Sequence, residues 1–191
     1  FYRAPENMAY TMSGWSGTIS FWLSLDPDVD LEPGFCDPIQ FTDSGYNDAA
    51  IWVDFFGDST RQFRLGIFGD LNEWNPDGLS SSDNTFFTDR LIAVDQPPFE
   101  NGQWTHVAIT FSGINTASGG TANLYLNGSL LPKSMEGLNE AFTWDASRSQ
   151  LRLGMNYVGL FDELSIFNRS LNAEEVGELY RLERGVVSLH P

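Results

Sequence analysis

Apolar and polar residues alternate with a period of two along most of the chain, the mark of strands with one face buried. From Gly17 to Leu25, the residues Ile19, Phe21, Leu23 and Leu25 fall on one side; Thr18, Ser20, Trp22 and Ser24 fall on the other. Two runs then form a hairpin-like pair. In the first, Ile51, Val53 and Phe55 are the core side, with Trp52, Asp54 and Phe56 opposite. In the second, Phe63, Leu65 and Ile67 are the core side, with Gln62, Arg64 and Phe68 opposite. Leu91 to Val94 reads as a short strand, and Trp104 to Phe111 alternates again with Thr105, Val107, Ile109 and Phe111 on one side. Asn127-Gly128, flanked by short apolar runs, is a strong hairpin signal. Between these runs lie loops at 26–38, 69–90 and 137–149, marked by Pro, Gly, Asp and Asn.

The C-terminal stretch has the most specific pattern. Val158, Leu160, Leu164 and Ile166 fall on one side of a strand, and Asp162 stands among them. A carboxylate in an apolar row needs a partner, because burying it bare is costly. Asn172 and Glu175 are spaced as a capping box, and Val176, Leu179 and Tyr180 follow at helical spacing. Many short strands with turns between them, and one short C-terminal helix, predict an all-β fold of two packed antiparallel sheets.

Composition narrows the function classes. With 26 acidic against 10 basic residues, the chain carries a net charge of −16. Such a surface repels nucleic acid and anionic membranes and suits cations, neutral sugars or basic partners. One cysteine excludes an internal disulfide framework. No run is long and apolar enough to span a bilayer, so no membrane insertion is expected. The chain opens on Phe1 without a leader segment, and residues 1–191 are expected to be one domain excised from a larger secreted or cell-surface protein.

Four segments carry a resemblance, in order, over residues 17–180. They are Gly17-Thr-Ile-Ser-Phe-Trp22, Trp104-Thr-His-Val-Ala108, Leu124-Tyr-Leu-Asn-Gly128, and the closing motif with Gly159, Phe161, Asp162, Glu163, Asn168, Arg169, Leu171, Glu174 and Glu175. Together they resemble the laminin-G-like jelly-roll domains of the concanavalin A-like lectin/glucanase superfamily. The resemblance implies a two-sheet jelly-roll β-sandwich in which Trp22 and Trp104 are packed strand residues. It also implies that a structural Ca²⁺ is in reach of Asp162, an oxygen donor of the kind that ion takes.

Fold alone does not give function, so the residues must. An aromatic ring beside amide and acidic groups is the makeup of a sugar site. Trp52 with Asp54, Arg64, Phe56 and Gln62 is one such face; Trp74 and Trp144, both in loops, are expected at a rim. The loop 70–78 resembles a calcium loop only superficially, because Trp74 stands where an oxygen ligand belongs. No nucleophile elbow serves His106 or His190, no zinc spacing is present, and the run of strand carboxylates found in related glucanases is absent. Asp162 and Glu163 adjoin, so on a strand they face opposite ways. The expectation is a non-catalytic carbohydrate-binding module whose partner is a glycan. A protein-interaction or structural module, with an extracellular protein as partner, is the alternative. A glycoside-active enzyme of the same fold comes third.

Overall fold

Among the described residues, eleven strands build two antiparallel sheets. The structure is a computed structural model and describes residues 10–43, 50–57, 61–80, 83, 85, 90–139, 141–145 and 147–182. The strands are β1 (Trp15–Ser24), β2 (Cys36–Thr42), β3 (Ala50–Phe55), β4 (Phe63–Phe68), β5 (Leu91–Val94), β6 (Thr105–Ile114), β7 (Gly120–Leu126), β8 (Ser129–Leu130), β9 (Met135–Leu138), β10 (Gln150–Met155) and β11 (Leu160–Phe167). Two short helices complete them, α1 (Leu71–Trp74) and α2 (Ala173–Arg181). One sheet runs β11-β1-β6-β7-β8, with β9 also on β7; the other runs β10-β2-β3-β4-β5. They pack as a jelly-roll sandwich.

The inner faces follow the alternation. Ile19, Phe21 and Leu23 of β1 meet Ile51, Val53 and Phe55 of β3 and Phe63, Leu65 and Ile67 of β4 in one core. Each large side chain fully buried there is worth roughly 1.5–3 kcal/mol. At one end the core becomes aromatic. Trp15 packs on Phe111 at 4.7 Å and on Trp144 at 5.2 Å between ring centroids. Asn127 and Gly128 both adopt positive φ, at 49° and 74°, and turn β7 into β8 as their sequence predicts.

Two strands depart from simple alternation. β2 begins at Cys36, inside what the sequence marks as loop, and its pairing with β3 is irregular between Cys36 and Ile39. Pro38 sits in that irregularity, where a missing N–H does no harm. β11 carries a bulge: its register against β1 shifts between Ser20 and Trp22, and Glu163 has φ 50°. The extra residue flips the phase. Phe161 therefore turns inward and stacks on Phe21 at 5.1 Å, whereas Val158 and Leu160 are exposed. Asp162 is consequently not in an apolar row. It lies opposite Trp22 at the surface. A further short strand, β9, forms at the start of a segment whose turn residues mark it as loop.

The outer face of the six-stranded sheet is closed by α2. Asn172 caps the helix by accepting from Glu175 N–H at 3.0 Å, and the Glu175 carboxylate accepts from Asn172 N–H at 2.9 Å. Val176 and Leu179 then bury against Ala108 and Tyr125. Thr18 clasps the entry to this helix: its hydroxyl donates to Arg169 O and accepts from Leu171 N–H, both at 2.9 Å.

Candidate functional site

Among the described residues, no helix seals the outer face of the five-stranded sheet in this way. Side chains that point away from the core on β3 and β4 line a groove of about 740 Å³. Strand pairing sets Asp54 directly opposite Arg64 and Trp52 opposite Gly66. Gly66 is required by its neighbour: a Cβ there would lie 2.2 Å from Trp52 Cζ2, so the indole lies across bare backbone.

Arg64 is held on every side. Its Nε donates to Asp54 Oδ1 at 2.8 Å, and its Nη2 donates to Asp54 Oδ2. Both side chains are almost fully buried, at 6% and 3% exposure. The guanidinium lies 4.3 Å from the Phe56 ring centroid, 5.5 Å from Phe35 and 5.6 Å from Trp52. A planar, weakly hydrated cation is suited to such a cage. Burial pushes the Asp54 carboxyl up, and the bonds from Arg64 pull against that. On β2, burial and then the neighbouring Asp54 push Asp37 up to about 7, against a smaller pull from Arg64.

The loop after β4 makes the far wall. Asp70 pins it, accepting from Thr143 N–H at 3.0 Å and from the Thr143 hydroxyl at 2.7 Å. Helix α1 then swings Trp74 inward, 4.9 Å from Phe68, which in turn packs on Trp52 at 5.5 Å. Asn75 closes the following turn on Leu79 with bonds of 2.8 and 3.0 Å.

The expected residues thus sort into two groups. Trp52, Asp54, Arg64 and Trp74 come together at one groove. The two tryptophans are nearly buried, forming its floor with Phe68 rather than standing as exposed rings. Trp144 is not at a rim: its loop folds across the end of the sandwich, and Tyr10, Trp15, Phe41 and Phe142 occupy the space around its ring. Gln62 turns away to Asp95. Trp104, expected to pack, is 43% exposed. Asp162 is an exposed carboxylate whose Oδ1 accepts from Glu163 N–H at 2.8 Å. No group of three or more His, Cys, Asp or Glu side chains among the described residues is placed to hold a metal ion. The environment that singled out Asp162 is therefore not the one it has.

Several groove residues escape sequence reasoning. Phe35, at 48% exposure, is the accessible ring of the groove; Asp37, Gln40, Met155 and Asn156 join it. Asn156 Nδ2 donates to Phe35 O at 3.4 Å, tying the two rims. The available sign was Phe35 beside Cys36 at the head of β2, concealed by Pro33, Gly34 and Pro38.

His106 is a buried polar group on the opposite sheet. It lies under α2, with Nε2 2.9 Å from Ser20 Oγ and its ring 5.0 Å from Trp22, and burial lowers it to about 4. It faces packed side chains, not the groove.

With this geometry in place, the chain can be set beside known proteins. The family model described as concanavalin A-like lectin/glucanases superfamily, laminin-G type, matches residues 6–177. No curated protein sequence matches the chain. Similar solved structures include the botulinum neurotoxin serotype G binding domain, with 20% identity and a TM-score of 0.52 over 89% of this chain and 36% of that one. The binding domain of botulinum neurotoxin DC in complex with SialylT is 16% identical, with a TM-score of 0.56 over 87% and 35% of the two chains. The same binding domain in complex with rat synaptotagmin II gives 17% identity and a TM-score of 0.56 over 91% and 36%. The chain therefore spans about a third of the length of these structures, and at such identity the likeness is one of fold.

Proposed function

The chain belongs to the concanavalin A-like lectin/glucanase superfamily, and from that premise we propose that it is a non-catalytic glycan-binding module of a secreted or cell-surface protein. The observation that carries this reading is the groove on the open face of the five-stranded sheet, which joins an exposed ring to convergent polar groups. Phe35 offers a flat apolar surface to one face of a pyranose. Asp37, Gln40, Asn75 and Asn156 offer hydroxyl partners around it. Small-molecule sites combine these two elements. The similar neurotoxin binding domains, one in complex with SialylT and one with synaptotagmin II, set a precedent for binding, of sugar or of protein, in chains that contain this fold.

One of the groove's two carboxylates, Asp54, argues for binding over hydrolysis. Asp54 is locked by two bonds from Arg64, so it is not free to act as a nucleophile or base. A glycan array probed with wild type and with Phe35→Ala tests the reading. Hits that vanish in the variant while its thermal midpoint holds support it; hits that persist in the variant, or no hits, overturn it.

The alternative of a protein-interaction module has one specific support, the exposed Val158 and Leu160 beside the β10–β11 turn. Substituting both with Ser, with glycan binding retained, would assign that edge to a protein partner if capture of that partner is lost. Calcium is a separate expectation. A melt after EDTA stripping, with and without millimolar Ca²⁺, tests it, since a ligand of the folded state raises the midpoint.

A further inference from the structure

Among the described residues, the charged side chains lining the groove are two carboxylates, Asp37 and Asp54, and one cation, Arg64. The cation is already spent. Two charge-assisted bonds tie it to Asp54, and the rings of Phe56, Phe35 and Trp52 surround it. Arg152, opposite Gln40 on β10, is not part of the lining and is itself engaged, and Arg61 is tied to the carbonyls of Leu31, Glu32 and Gly34. One carboxylate, Asp37, is thus left uncompensated in a chain of net charge −16.

We propose that this groove is a charge filter: it accepts uncharged glycans and rejects those bearing carboxylate or sulfate groups. The inference rests on the glycan reading of the same groove and names its ligand class. Two costs exclude an acidic sugar. To be paired, its anion must either draw Arg64 off Asp54 and strand a buried carboxylate, or share one buried cation with Asp54 so that two anions meet one charge. Left unpaired, the anion meets Asp37 in a partly desolvated cleft, where like charges repel more strongly than in water. The site already resists negative charge, since burial and Asp54 hold Asp37 up to about 7 and Arg64 only partly offsets them. A neutral sugar meets neither cost. It needs a ring to stack on and hydroxyl partners, and the groove supplies both.

The test is a set of paired oligosaccharides, each immobilised as its neutral form and as its sialylated or sulfated derivative. It is probed with the 191-residue chain at pH 8, where Asp37 is charged. The neutral member should bind at least about tenfold more tightly than its acidic partner, the scale of one like charge at close range in a cleft. In Asp37→Asn the ratio of the two affinities should narrow several-fold, with a melt confirming that the variant is folded. Acidic members bound as tightly as neutral ones, or a ratio unchanged in Asp37→Asn, would overturn the filter and leave the glycan reading standing. Binding to neither member would remove that reading, and the filter with it.

Discussion

The sandwich has two outer faces, and each buries a charged or chargeable group among aromatic rings. On the six-stranded sheet, His106 lies under helix α2 against Trp22 and Tyr180. On the five-stranded sheet, the Asp54–Arg64 pair lies among Trp52, Phe56 and Phe35. The first face is sealed by an amphipathic helix, and its polar group is kept neutral. The second forms a groove, and its buried ion pair is part of the lining. The same local recipe becomes structural support in one place and a candidate binding surface in the other; among the described residues, what differs is whether a helix seals it.

The sharpest way to break this contrast is at the ion pair. Asp54→Ala strands Arg64 and should cost about 3–5 kcal/mol, read as a large drop in the denaturation midpoint. The double replacement Asp54→Leu with Arg64→Met should restore stability to near wild type, because well-packed apolar residues can replace a buried pair. If the single change costs less than about 1 kcal/mol, the pair is more hydrated than its burial indicates.

A somewhat smaller effect is expected on the sealed face. Val176 is fully buried beneath α2, and Val176→Asp should cost about 3 kcal/mol, or roughly 10 °C in midpoint for a chain of this size. Glycan binding at 25 °C should survive it, since the groove lies on the other sheet. Loss of binding would mean that the two faces are coupled.

The two faces should also respond to pH in opposite senses. His106 is lowered from 6.5 to about 4, so the unfolded chain takes up a proton before the native one does. Its contribution is complete above about pH 6.5 and declines as pH falls towards 4. Asp37 is raised from 3.8 to about 7, so the native chain holds a proton that the unfolded one has lost. Its effect is a decline in stability as pH rises from about 4 to 7. Each slope should amount to about 1–3 kcal/mol across its window. His106→Gln should remove the first and Asp37→Asn the second, measured by urea unfolding at intervals across that range. A wild-type profile unaltered by either change would refute both assignments.

The smallest stability effect belongs to Phe35. Its ring is half exposed, so Phe35→Ala should move stability by no more than about 0.5–1 kcal/mol while lowering glycan affinity about tenfold or more by titration calorimetry. A large fall in stability would make Phe35 a packing residue of the Arg64 cage instead.

How far these faces could be read in advance follows from phase. The β3–β4 hairpin keeps strict alternation, so the shared outward face of Trp52, Asp54 and Arg64 is legible from spacing alone. The capping box at Asn172 and Glu175 is legible for the same reason, since every contact involved is local. Bulges break the rule. Glu163 adopts positive φ in β11 and reverses the facing of everything before it, and so Asp162 reads as inward when it points out. Pro38 disguises β2 as loop and hides Phe35 and Asp37 with it. The loops fail for a different reason. Trp74 and Trp144 lie in polar segments whose final positions depend on distant anchors, Asp70 to Thr143 in one case and the Trp15 end of the core in the other.

The pairing of β1 has a consequence for how the chain comes to be folded as it is made. β1 lies inside its sheet, yet one of its two partners, β11, is the last of the described strands in chain order. The run β2-β3-β4-β5 is contiguous in the chain and its neighbours pair in order, so the ribosome can release it as a zippered unit early. Much as β2 waits for β10 at residue 150, the other sheet holds the β11 edge of β1 unsatisfied until residue 160 and beyond has emerged, exposed meanwhile to wrong partners. Nascent chains arrested before and after that point should differ abruptly in protease resistance, and a gradual change would mean that β1 finds another shelter while it waits.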